Sequence, residues 1–368
     1  MIARALLAAV LLAAILLPGL PAAAQDELPE LTLFLGFIPN IQFAPVYVAL
    51  EKGYFAQEAG VRITLEYGDE NLGAERIAAG ELRFGIFSGE QVLLARYGGR
   101  PLVYLYEWYR RYPVAVAALA DSGIARLEDL RGRTVGVPGR FGASYVGLRA
   151  LLASGGLTEE DIRLEEIGYN APALLCAGRV EAAVVYIANE PAQIARSCGA
   201  VNVIELPPEA DLVGNGLITN EATIAGEPEL VRGMVRALAR GIADTLAGPD
   251  EAFEISRRYV ETLPRGGGRI ALAVAAAQTV DALRSAAAGD GLSAAEAAAL
   301  ADSLAAAYHP DEVTQMQVLL NSIRLWEGPD PGLSDPASWE ATMNTLIAAG
   351  LLPGPLDFSR AYNHDFLP

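Results

Sequence analysis

Short apolar runs alternate with amphipathic stretches through the first 220 residues, and after that the strand signals stop. A strand-like segment runs into a Pro-Asn turn at Pro39-Asn40, an amphipathic helix follows, Gly53 and Gly60 break it, and a second strand begins before Leu65. The pattern then predicts a helix over 73–79, strands over 84–87 and 102–108 with a helix at 90–97 between them, and a further strand over 114–119. Beyond it come a short helix at 127–133, strands at 134–137, 161–168, 182–186 and 201–206, and helices at 145–153, 172–177 and 191–197. Such β/α alternation favours a mostly parallel sheet covered by helices.

Residues 215–219 read as one more strand, returning to the first sheet, because everything from Glu227 onward is helical in pattern. Over 228–247 the residues Leu230, Val231, Met234, Val235, Leu238, Ile242 and Leu246 recur at one, three or four positions, an apolar face of core width. At least four more helices are expected up to Ile347. The chain therefore divides into a discontinuous lobe 1, residues 25–114 and 212–368 with a helical C-terminal part, and a continuous lobe 2, residues 115–211. Two lobes joined by a double crossover close on a hinge, with ligand held between them by strand-to-helix turns.

The first 24 residues carry one basic side chain, Arg4, then an apolar run from Ala5 to Leu17, Pro18, and Ala22-Ala23-Ala24. This reads as a secretory signal and is set apart from the fold; the alternative, an uncleaved anchor, is disfavoured by the short run and Pro18. The expected location is outside the cytoplasm, in the periplasm or on the outer side of the cell membrane. An exported chain with an even pair of cysteines, Cys176 and Cys198, permits one disulfide, and two buried thiols are an equal alternative. Two cysteines with two histidines, His309 and His364, are too few and too scattered for a zinc site, and neither metal nor cofactor is expected.

With 368 residues and 52% apolar side chains, the chain is long and apolar enough for two cores. Its formal charge of −18 disfavours nucleic acid as a partner, since phosphates need a basic surface, and none is expected. Lys52 is the only lysine. No Gly-x-Ser-x-Gly elbow, His-Glu-x-x-His pair or P-loop occurs, and the first 300 residues hold no histidine. That removes most hydrolase templates, and the chain is read as a binder.

Phe37, Ile38, Pro39, Asn40, Tyr47, Val48, Ala49, Lys52, Gly53, Tyr54, Phe55 and Gly60 resemble the opening turn and helix of the solute-binding proteins of ABC importers. The similarity is to the branch related to sulfonate binding and thiamine-pyrimidine synthesis. It implies a two-lobe, type II-like periplasmic-binding-protein fold of α/β class, hinge closure around a small molecule, and a membrane permease as partner.

Candidate ligand contacts come from the turns. Asn40, Gln42, Phe37 and Phe43 offer carboxamides and flat rings to a nitrogen heterocycle, although Asn40 alone suits a helix cap. Ser88 precedes a helix, where capping is its expected role, and Trp108 with Tyr109 ends a strand at the crossover, placed to stack on a ligand. In lobe 2, Phe141, Ser144 and Tyr145 belong to a Gly-rich strand-to-helix loop, and Tyr169, Tyr186, Asn189 and Glu190 end successive strands. Asn189-Glu190-Pro191 resembles the family's strand-end segment, which implies that Glu190 accepts from a ligand N–H. Where pyrimidine binders usually have tryptophan and histidine, this chain has Phe37 and Phe43, and it has no counterpart of the synthases' cysteine-rich iron motif. The Phe-x-Pro-Asn-x-Gln-Phe turn is most similar to riboflavin-binding members. A flavin is therefore the first expectation, a thiamine-precursor pyrimidine the second, and sulfonate or nitrate the third. The rival of another class is a pyrimidine-synthase-like enzyme of the same fold.

Overall fold

The computed structural model describes residues 28–210, 212–264 and 310–368. The segment read as a secretory signal, and much of the alanine-rich region after residue 264, lie outside them.

Among the described residues, ten strands form two five-stranded sheets. The first contains β1 (Glu30–Leu35), β2 (Arg62–Tyr67), β3 (Phe84–Ser88), β4 (Leu102–Glu107) and β10 (Asn215–Asn220), in the order β2-β1-β3-β10-β4. The second contains β5 (Val114–Leu119), β6 (Thr134–Val137), β7 (Arg163–Glu166), β8 (Ala182–Tyr186) and β9 (Val201–Glu205), in the order β7-β6-β8-β5-β9. The pairings are evenly divided: β1 with β2 and β3, and β6 with β7 and β8, are parallel. β10 with β3 and β4, and β5 with β8 and β9, are antiparallel. The antiparallel strands are the crossing strands. β5 carries the chain into the second sheet and β10 brings it back, so each runs against its neighbours; the sheets are mixed, as expected of this fold, with half of the pairings parallel.

Local chemistry explains the element ends. After the helix Ala44–Glu51, Gly53 adopts φ 70°, a left-handed conformation that side chains with Cβ resist. Lys52 beside it donates to Asp244 Oδ2 at 2.8 Å and Glu251 Oε2 at 2.9 Å, tying the opening unit to the C-terminal helices. The helix Pro228–Ala247 has the predicted bounds and buries Val231, Met234, Val235 and Leu238 against the helices Ala44–Glu51 and Tyr54–Ala59.

Two helices start earlier than their periodicity indicates, Glu70–Ala78 and Gly142–Ser154, because their first turns carry polar or glycine residues outside the apolar repeat. Cys176 and Cys198 form a disulfide that joins the helices Ala171–Cys176 and Glu190–Cys198, so the bridge is the alternative realised.

The C-terminal helices pack beside both sheets. Pro310–Trp326 contacts both the turn Ile41–Phe43 and the helix Glu190–Cys198. Pro336–Ala348 packs against Glu90–Tyr97 and against Gly142–Ser154, where Arg149 donates to the Ala349 carbonyl at 2.5 Å. One apolar core accordingly runs from Phe34 and Phe87 in the first sheet, through Trp339, to Val116 and Val135 in the second.

Candidate functional site

A cavity of about 620 Å³ opens between the two sheets, at the carboxyl ends of β1 and β8. Phe37, Pro39 and Asn40 line one wall, Tyr169, Asn189, Glu190 and Gln193 the opposite one, and Tyr259 with Gln315 closes the side. The volume is that of a small-molecule site.

Each wall follows from its turn. Asn40 has an extended backbone and its Oδ1 accepts from the Gln42 N–H at 3.0 Å, so it is the cap that the residue type suggested, and it also faces the cavity. Phe37, after the first strand of one sheet, reaches the residues of the other, edge-on to Tyr169 at 4.7 Å and parallel to Tyr186 at 6.2 Å between ring centroids. Tyr169 adds a bond across the gap, donating to Asp69 Oδ1 at 3.0 Å; burial pushes its phenol well above the usual range.

Glu190 begins its helix at the end of β8. Its carboxylate accepts from the Tyr186 N–H at 2.8 Å and from Asn189 Nδ2 at 3.0 Å, and Gln193 donates to Asn189 Oδ1 at 2.7 Å. Part of its surface still opens to the cavity, and burial, opposed by these bonds, pushes its carboxyl up to about 7.

Deeper in, Phe141, Ser144, Tyr169 and Tyr186 border a small recess with Gly36 and Glu70. Glu70 is buried, a residue that sequence reasoning missed. Its Oε1 accepts from the Ser88 N–H at 3.1 Å and Asn215 Nδ2 at 3.3 Å, and its Oε2 accepts from the Ala143 N–H at 2.6 Å. The last bond crosses the gap to the first turn of the lobe 2 helix, which Gly142 opens with φ 61°.

Several sequence candidates sit elsewhere. Ser88 is the last residue of β3, not a cap: Gly89 holds the cap position, and the Ser88 hydroxyl turns inward to Glu70 and Glu90. Trp108 is 2% exposed and packs among Phe43, Tyr109 and Trp326, outside the cavity lining; a strand end places a residue near the gap without turning its side chain toward it. Tyr109 is buried with it and donates to the buried Gln42 Oε1 at 3.4 Å, and Phe43 belongs to the same core. Tyr145 donates to Glu159 Oε2 at 2.8 Å on the far side of its loop. Among the described residues no group of three or more His, Cys, Asp or Glu side chains is placed to hold a metal ion.

Residues 40–252 match the NMT1/THI5-like family. The chain belongs to that family. It is 36% identical over 353 residues to the riboflavin-binding protein RibY of Chloroflexus aurantiacus, covering 94% of this chain and 88% of that one. The 4-amino-5-hydroxymethyl-2-methylpyrimidine phosphate synthase of Legionella pneumophila is 27% identical over 234 residues, covering 61% of this chain and 72% of that one. Among solved structures, the alkanesulfonate-binding protein SsuA of Xanthomonas axonopodis pv. citri superposes with a TM-score of 0.60 at 16% identity, over 92% of this chain and 99% of that one. The family resemblance and the α/β periplasmic-binding-protein fold expected from the opening turn are both borne out.

Proposed function

We propose that this NMT1/THI5-like protein captures a flavin, riboflavin first, outside the cytoplasm and delivers it to the permease of an ABC importer. The observation that carries the reading is the composition of the cavity. Aromatic faces at Phe37, Tyr169 and Tyr259 stand beside an acidic acceptor, Glu190, and the carboxamides of Asn40, Asn189 and Gln193. A ring imide donates an N–H and accepts at flanking carbonyls, which these groups complement, and a three-ring heterocycle uses the aromatic faces. Likeness to RibY across nearly the whole chain supports the same choice.

Binding without chemistry is the proposed mode. Contacts made only when the lobes are together favour the closed state, and the solute adds to them. Likeness to the pyrimidine synthases motivates one second reading, a thiamine-precursor pyrimidine as cargo. Purification from the native host, denaturation, and absorption and mass analysis of the released compound decide between them. A yellow, fluorescent flavin is the expected result; a colourless pyrimidine mass replaces flavin with the second reading, and turnover of added pyrimidine precursors replaces binding with catalysis.

Glu190 gives a sharper test. Its carboxylate form accepts from a ligand N–H more strongly than the neutral acid does, and with its carboxyl pushed up to about 7 that form is lost as pH falls through neutrality. Riboflavin affinity is expected to drop between pH 8 and pH 6. Glu190→Gln weakens binding roughly 10- to 100-fold at pH 8, the loss of a hydrogen bond to a charged group, and removes the pH dependence. Fluorescence titration at the two pH values measures both effects; a Glu190→Gln protein that keeps the wild-type pH profile shows that Glu190 does not receive the solute.

A further inference from the structure

The recess behind Phe37 contains a proton count that the cavity does not use. Ser88 Oγ lies 2.8 Å from Glu70 Oε2 and 2.5 Å from Glu90 Oε1. A hydroxyl has one proton, so it donates to one carboxyl and accepts from the other, which must be a protonated acid. Glu70 takes three N–H donors, from Ser88, Asn215 and Ala143, and is the ionised member. Glu90 receives Gln91 Nε2 at 3.2 Å, its Oε2 has no hydrogen-bond partner, and it holds the proton. Burial pushes both carboxyls upward, and the Glu70 charge adds to the effect on Glu90.

Glu70 and Ser88 belong to lobe 1, and Ala143 belongs to lobe 2. The ionised carboxylate therefore occupies, from the opposite lobe, the first-turn amide of the helix Gly142–Ser154, where backbone N–H groups and the helix dipole favour negative charge. We propose that Glu70 is a specificity-determining residue: it acts as a built-in anionic ligand that holds the lobes together and rejects solutes carrying phosphate, sulfonate or carboxylate at that end. An incoming anion meets a desolvated negative charge with its donors already engaged, whereas a neutral solute meets only the aromatic and amide walls. Applied to a flavin this rests on the reading above, and it predicts preference for riboflavin over its phosphate ester, flavin mononucleotide.

The full chain and three variants test this. Glu70→Ala removes charge and bond, Glu70→Gln removes the charge in a similar volume, and Ala143→Pro, in the first turn of its helix, replaces the lobe 2 donor with a ring carbon that pushes the carboxylate away. Wild-type protein is expected to favour riboflavin over flavin mononucleotide at least tenfold by fluorescence titration, and Glu70→Ala and Glu70→Gln to narrow that ratio at least tenfold. Ala143→Pro keeps the charge and the preference, while amide exchange across residues 142–146 without solute rises at least tenfold in it and in Glu70→Ala. An unchanged flavin ratio in both Glu70 variants overturns the proposal, and so does unchanged exchange in Ala143→Pro and Glu70→Ala. Should wild-type protein bind neither flavin, the flavin reading fails and inorganic sulfate decides this one. Thermal stabilisation by sulfate in the Glu70 variants and not in wild type supports it, and an equal response in all overturns it.

Discussion

Replacing Trp108 with alanine is expected to lower the unfolding free energy by about 3 to 5 kcal/mol and to leave riboflavin affinity of the folded protein within about threefold of wild type. The indole is 2% exposed, tilted against Phe43 at 6.3 Å, Tyr109 at 5.6 Å and Trp326 at 5.3 Å between ring centroids, and the large loss reflects the void left among these rings. Its Nε1 has no hydrogen-bond partner, so a buried donor already carries an unmet cost there. Trp108→Phe removes that donor, keeps most of the volume, and is expected to cost less than about 1.5 kcal/mol. Urea unfolding measures the stabilities and flavin titration the affinities. A Trp108→Ala protein of normal stability that no longer binds flavin would return this residue to the ligand site.

The contrast between Trp108 and Glu190 shows what the sequence made legible. Strand-to-helix turns could be found from apolar periodicity, and Asn40, Tyr169, Asn189 and Glu190, sought there, line one cavity because the fold brings the carboxyl ends of β1 and β8 together. Side-chain direction at a strand end depends on register, which only the pairing of β4 with β10 fixes, and Trp108 points into the core behind that pair.

Glu70 was illegible for another reason. Its partners Ser88, Ala143 and Asn215 lie 18, 73 and 145 residues away in sequence, and nothing local distinguishes it from a solvated acid in a first helical turn. The C-terminal helices are a similar case. Their apolar faces announced helices, but only packing shows that Pro336–Ala348 contacts helices beside both sheets, Glu90–Tyr97 and Gly142–Ser154.

Serine at both Cys176 and Cys198 is expected to lower the stability of lobe 2 by about 3 kcal/mol and to weaken flavin binding several-fold. The bridge closes a loop of sequence separation 22, and the stabilisation expected from restricting the unfolded chain grows only with the logarithm of that length. Its effect on binding follows from position. It joins the end of the helix Ala171–Cys176, which carries Pro172, to the end of Glu190–Cys198, which carries Glu190, Gln193 and Arg196. All four side chains line the cavity. Without the bridge, Glu190 keeps its bonds to Tyr186 and Asn189, while the far end of its helix is left with the ion pair from Arg196 to Asp311 and the packing of Ile194. Denaturant unfolding of the double-serine protein, beside wild type with and without reductant, measures the stability term, and flavin titration the binding term. Reduced wild-type protein should behave as the double-serine variant does. Equal stability of oxidised and reduced protein would show that the packing of these two helices, and not the bridge, holds this wall of the cavity in place.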